Sequence, residues 1–330
     1  MRLSHFISYQ SVRANPIYFL VIILATLAMA GCSTVSIDKA KQLGAFGTEV
    51  TANSMANIFV TEDEFQRAID AEAFFHGSNS SEDSPVYANI IEKANKVNNE
   101  LAARTVVFNN LASVYDAFSG LAGIDAATGT ETAINGLGSA INGYAAAVGQ
   151  APPIAESATA VLARIGGIIA AEIQKKQIIE ASKLIRQHLD AFAILFEGKL
   201  VRTQMVTFQE VLAQNRATAI DLLWNTGVFK PDLVLNQMGA SAGLTAHKDA
   251  AKVVAANKKL NSGLNEVVRQ RLNHSKGLIG QSYNASIKGV RALIAQHMNL
   301  EKGEDLNLTH LRQIVAELQR SAILLSPPTA

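Results

Sequence analysis

From Ile90 to Phe118 the apolar residues Ile90, Ala94, Val97, Leu101, Phe108, Leu111, Tyr115 and Phe118 keep alternating steps of three and four, and Arg104 is the one polar residue in the series. That spacing is a narrow stripe on an α-helix, which a strand of period two does not present. Ser84 followed by Pro85 supplies a cap and a first-turn proline, so one helix of about 35 residues is predicted. A seam sustained over about five heptads has to be covered by other helices, as in antiparallel bundles and coiled coils.

The rest of the chain agrees. Only 7 prolines, 6 tyrosines and 1 tryptophan stand in 330 residues, alanine is abundant, and apolar residues recur at helical spacings. The expected fold class is all-α, an elongated bundle of long antiparallel, partly coiled-coil-like helices. After a short tether, Ile37 to about Val60 gives a first, weak helix. Thr61-x-x-Glu64 reads as a capping box opening a second, with Phe65, Ala68, Ile69 and Ala73 on one face. Gly77 to Ser84 is the clearest loop.

Residues 119–151 carry seven glycines. Within them Ala133-Ile-Asn-Gly-Leu137 repeats as Ala140-Ile-Asn-Gly-Tyr144, and Gly129, Gly136 and Gly143 stand seven apart. Ile134, Leu137, Ile141, Tyr144 and Val148 form the apolar seam, and the glycine row is expected to let another backbone come close. Gly149 to Pro153 turns the chain. Ile154 is expected to begin the longest helix, through Val161, Ile165, Ile168, Ile178, Ile185, Phe192 and Leu195, with Gly166 and Gly167 brought opposite Gly136 and Gly138. Further helices are expected near 232–242, 246–275, 277–299 and 306–325, separated by Gly243, Gly277 and Glu301 to Asp305. The chain thus divides into 1–31, 32–60 (tether and first helix), 61–226 (long-helix bundle with a Gly/Ala-rich hairpin at 119–171) and 227–330 (a basic helical region packing on the bundle).

The first 31 residues have another purpose. Arg2 and Arg13 precede an uncharged apolar run, Ile17 to Ala30, which has signal-peptide length and falls short of the roughly 20 residues a membrane span needs. The following Leu27-Ala28-Met29-Ala30-Gly31-Cys32-Ser33 resembles the lipobox of bacterial lipoproteins, with Met29 where that pattern prefers leucine. The resemblance implies cleavage between Gly31 and Cys32, then diacylglycerol and N-acyl (palmitate-type) lipid on Cys32. Cys32 is the only cysteine, so no intramolecular disulfide competes for it. Two or more acyl chains hold a protein at a bilayer where one binds reversibly. Ser33 is not the aspartate that retains many enterobacterial lipoproteins at the inner membrane, so the resemblance implies the outer membrane, with the domain periplasmic or surface-exposed.

Charge is balanced in total and uneven along the chain: 14 acids and 6 bases over 38–131, 8 and 9 over 156–232, 6 and 12 over 248–320. These are expected to be solvated helix faces; a basic face for anionic lipid or cell-wall polymer is the functional alternative. His76, His188, His247, His274, His297 and His310 show no metal-ligand spacing, so no metal site is expected. His76 is expected in a solvated loop, His188 in the core. No nucleophile elbow or phosphate-binding glycine loop follows a strand, so neither a catalytic residue nor a cofactor or nucleic-acid partner is assigned. Glu62-Asp63-Glu64 is expected to serve the positive end of the helix capped by Thr61.

The expected function is a non-enzymatic structural or interaction module, bound to a membrane by lipid and to an envelope protein or a second copy of itself. The alternative is a membrane-active protein: the apolar 119–171 hairpin resembles, in architecture only, the head of α-helical pore-forming toxins.

Overall fold

The computed structural model describes residues 16–79, 85–121, 127–155, 171–198 and 216–325. The protein is an all-α bundle. Its helices are α1 (Pro16–Asn79), α2 (Pro85–Gly120), α3 (Ala127–Ala147), α4 (Ala171–Phe196), α5 (216–225), α6 (Asp232–Gly239), α7 (Ala250–Ala256), α8 (Lys258–Lys302) and α9 (Leu308–Leu325). Gly166, Gly167 and most of the stretch between α4 and α5 lie outside the described residues. Among the described residues no helix is long and apolar enough to cross a membrane.

α2 starts at Pro85 and buries its whole seam, Arg104 included. α1 departs from expectation. The stretch expected as a tether after Cys32 is helical and Thr61 caps nothing: the helix runs unbroken from Pro16 to Asn79, and the Thr61 hydroxyl donates to the Asn57 carbonyl one turn back, at 2.7 Å. Tertiary burial explains this. Ala40, Leu43, Val50, Ser54, Asn57, Thr61, Phe65, Ala68 and Glu72 are all buried and keep helical spacing across the supposed break. Small and polar residues in that stripe hid a continuous seam.

Along α1 the contacts with α8 run in reverse order. Lys39 Nζ meets Asp305 Oδ1 just past the end of α8 at 2.9 Å, Val50 packs on Gly289, Ser282 Oγ donates to Asn57 Oδ1 at 2.7 Å, and Ser275 Oγ donates to Glu64 Oε1 at 2.9 Å. α1 and α8 therefore run in opposite directions. α2 and α3 do the same, with Thr130 bonded to the Ala117 carbonyl and Tyr144 to Glu100. α8 and α9 complete one core with α1 to α4.

In the C-terminal half the break falls at Asn257, not Gly277. Asn257 is extended (φ −112°, ψ 106°), and its Oδ1 accepts the backbone N–H of Lys259 and Leu260, capping α8. Gly277 sits inside α8 because the seam of Leu264, Leu278 and Ile279 runs past it. Trp224, Val254 and Leu264 form a small separate core, packed by Val234, Leu235 and Val267.

Candidate functional site

The densest polar chemistry lies inside the bundle, on the seam of α2. Glu100 and Arg104 are one turn apart, and both are buried. Arg104 Nε donates to Glu100 Oε1 at 3.0 Å, Nη2 reinforces the pair, and Tyr144 of α3 donates its hydroxyl to the same oxygen at 2.7 Å. The guanidinium lies 4.7 Å from the ring centre of Phe196 and 4.9 Å from that of Tyr283. Tyr283 in turn donates to the Phe196 carbonyl, the end of α4. Four helices thus converge on one cation.

Burial opposes that charge, yet Glu100 and the two phenols outweigh it and the guanidinium's pKa rises. Burial, then the Glu100 carboxylate, hold the Tyr144 phenol far above its ordinary value. Nearby Glu62 is raised by burial, with Arg104 pulling the other way. Glu100 Oε2 has no hydrogen-bond partner among the described residues. A cavity of about 10 Å³ opens beside Arg104, lined by Asn57, Thr61, Ser282 and Ser286 among others, room for one water at most.

A second network lies farther along α8. Tyr115 Oη stands 3.1 Å from His297 Nε2, and Ser182 Oγ stands 2.9 Å from His297 Nδ1. Arg186 bonds to Glu301 beside them at 2.9 Å. Burial first, then the Arg186 charge, push His297 down to about 3, so the imidazole is neutral at any physiological pH. A serine against a histidine invites comparison with a nucleophile and its base. Here both are closed off from solvent, and the far ring nitrogen faces a phenol where a catalytic base has an orienting carboxylate. The arrangement fastens α2, α4 and α8 together.

The residues singled out from sequence scatter. Backbone helix passes through Gly31 and Cys32, whose side chains lie outside the described residues. Gly129 and Gly143 are exposed, and no described residue would meet a Cβ on either. Gly136 faces the Asn110 side chain of α2, and Gly138, absent from the heptad row, is the glycine buried against His188 of α4. Among the described residues the row as a whole therefore does not form a packing surface, and Gly166 and Gly167, expected opposite it, lie outside them. A strict seven-residue period drifts about 20° per heptad, and this one runs along the rim of α3. Close approach occurs elsewhere: a Cβ on Gly47 would overlap the Tyr115 ring, and one on Gly44 would stand 2.7 Å from Ser119 Cβ. Gly44-x-x-Gly47 was the signal for that contact.

The hairpin seam of Ile134, Leu137, Ile141, Tyr144 and Val148 is wholly buried. Ile154, expected to start a helix, stands in the turn, where Asn142 Nδ2 donates to its carbonyl at 2.8 Å and Asn142 Oδ1 accepts its N–H at 3.1 Å. His188 is a core histidine with Nδ1 2.8 Å from the Leu184 carbonyl, its pKa lowered by burial. His76 is no loop residue: it lies in the last turn of α1, 2.9 Å from Glu72 Oε1 and packed on Tyr87. Glu64 pairs with Arg67 and Arg216 in mid-helix instead of serving a helix end. Among the described residues no acidic, histidine or cysteine group is arranged to hold a metal.

No protein-family model matches this chain, and neither does any curated protein or solved structure.

Proposed function

We propose that this protein is a lipid-anchored envelope stalk: a lipoprotein held in the outer membrane through Cys32, whose helical bundle acts by structure and protein contact instead of by catalysis. One observation carries the reading. α1 runs without interruption from Pro16 to Asn79, so a chain cut before Cys32 would begin with 48 helical residues, and from Ala40 onward one face of them is core. An acylated cysteine there has no flexible linker between lipid and bundle. At 1.5 Å per residue, residues 32 to 79 reach about 70 Å from the anchor. A helix that belongs both to the anchor and to the core transmits position and force, as a scaffold or spacer requires. The polar clusters of the core are spent on fastening helices, in keeping with this role.

The test is palmitate labelling and membrane fractionation of the wild type and Cys32→Ala in a Gram-negative host, followed by crosslinking in envelope fractions. Label and outer-membrane recovery that vanish in Cys32→Ala are expected. Undiminished labelling of the variant would defeat the anchor, and a wild-type chain that crosslinks to no envelope protein and to no second copy would defeat the scaffold.

A further inference from the structure

The small lobe built on Trp224, Val254 and Leu264 combines two features found together nowhere else among the described residues. Among the described residues, seven of the fourteen exposed large apolar side chains fall within residues 228–260, among them Val228 (64% exposed), Phe229, Leu233, Leu244 (65%) and Val253. Over residues 228–276 stand eight lysines and arginines against three acids. Asp249 and Glu266 are already engaged by Lys252 and Arg269, whereas no described acidic side chain pairs with Lys230, Lys248, Lys258 or Lys259. Lys248, Lys258 and Lys259 are exposed.

We infer that this lobe is a membrane-contact tip that binds an anionic lipid surface. Clustered exposed apolar side chains are unfavourable in water and call for a partner. Cations interspersed among them select a surface that is anionic outside and apolar beneath, where lysines meet headgroups while Phe229, Leu233 and Leu244 enter the interface. A hydrophilic polyanion would satisfy the lysines and leave the apolar groups in water.

Position gives this contact a consequence. Ser275 of α8 lies level with Glu64 of α1, and Leu264 lies eleven residues farther along α8, away from the end where Lys39 meets Asp305. The lobe therefore sits at the end of the bundle opposite residue 32, about 60 Å from it along the helix axis. Combined with the anchor, on which this step alone rests, the tip would join two lipid surfaces.

The experiment uses the full chain reconstituted into dyed phosphatidylcholine vesicles, mixed with vesicles of a second dye made from equal parts phosphatidylcholine and phosphatidylglycerol. Flotation reads whether the protein stays with the first vesicles, and dye coincidence reads capture of the second. Anionic vesicles should be captured and purely neutral second vesicles should not. Reversing Lys230, Lys248, Lys258 and Lys259 to glutamate should reduce capture about tenfold or more. Phe229→Ser with Leu244→Ser, which leaves the charge unchanged, should weaken it several-fold at unaltered helical circular dichroism. Equal capture of neutral vesicles, or capture that neither variant reduces, overturns the proposal. So does capture lost on charge reversal yet untouched by the serine pair, the behaviour of a site for a soluble polyanion. Protein that fails to float with the first vesicles refutes the anchor alone, and its co-sedimentation with the anionic vesicles then reads the tip directly.

Discussion

Arg104 is bound to Glu100 one helical turn before it, and Tyr144 donates to the same carboxylate oxygen from the neighbouring helix. Removing one partner of a buried ion pair leaves the other charge uncompensated, which typically costs about 3–5 kcal/mol, whereas replacing both by apolar groups is often neutral. Glu100→Leu and Arg104→Met should each destabilise strongly, and the double variant should lose much less than their sum. Urea denaturation of the three variants checks it; additive losses would show that the pair is not a coupled unit.

His297 makes stability depend on pH. Its folded pKa is about 3, below the ordinary value of 6.5. Between these values the unfolded chain binds a proton that the folded chain does not, so stability is fully present above pH 6.5 and declines as pH falls towards 3, at up to about 1.4 kcal/mol per unit. His188, lowered by burial, adds in the same direction. The urea midpoint of the wild type should fall between pH 7 and pH 5 by more than that of His297→Gln. Parallel curves would mean the imidazole is accessible to protons in the folded state.

Where apolar residues held the seam, as on α2 and α3, the sequence showed both the helix and its buried face. On α1 it did not, because Gly47, Ser54, Asn57 and Thr61 occupy stripe positions that only the packed neighbours reveal. Arg104 stood out as a polar residue in an apolar series, and Glu100 four residues earlier was the partner such spacing offers. The His297 network was illegible: Tyr115, Ser182 and His297 are far apart in sequence and none carries a local motif. Asn257 outranked Gly277 as a break because a side chain that caps two N–H groups stops a helix more firmly than a glycine whose flanks are buried.

Glycines separate along the same lines. Gly143 is exposed on α3 with no described residue near its missing Cβ, so Gly143→Ala should gain up to about 1 kcal/mol from helix propensity. At Gly136 an added Cβ would meet Asn110 Oδ1 at 2.9 Å, the movable end of a side chain, and alanine should be nearly neutral. Gly47→Ala has no such escape, since the Tyr115 ring is itself fixed in the core; a loss of about 1–3 kcal/mol is expected. Thermal melts of the three variants should rank in that order. A stabilised Gly47→Ala would place α1 farther from α2 than the structure has it.

Asn142, which repeats Asn135 in sequence, reaches across the turn to bond both the N–H and the carbonyl of Ile154. Two hydrogen bonds from one carboxamide imitate a strand partner and fix where the chain leaves the hairpin. Each is worth about 0.5–1.5 kcal/mol net, so Asn142→Ala should cost about 1–3 kcal/mol. Asn142→Asp is the sharper variant: its oxygens still accept from the Ile154 N–H but place a second acceptor against the Ile154 carbonyl. It should therefore be at least as destabilising as alanine at pH 7 and recover near pH 4, where a protonated carboxyl can donate. Hydrogen exchange at the Ile154 amide reads the latch directly. Unchanged protection in Asn142→Ala would show that Gly149, with its φ of 71°, sets the turn without help.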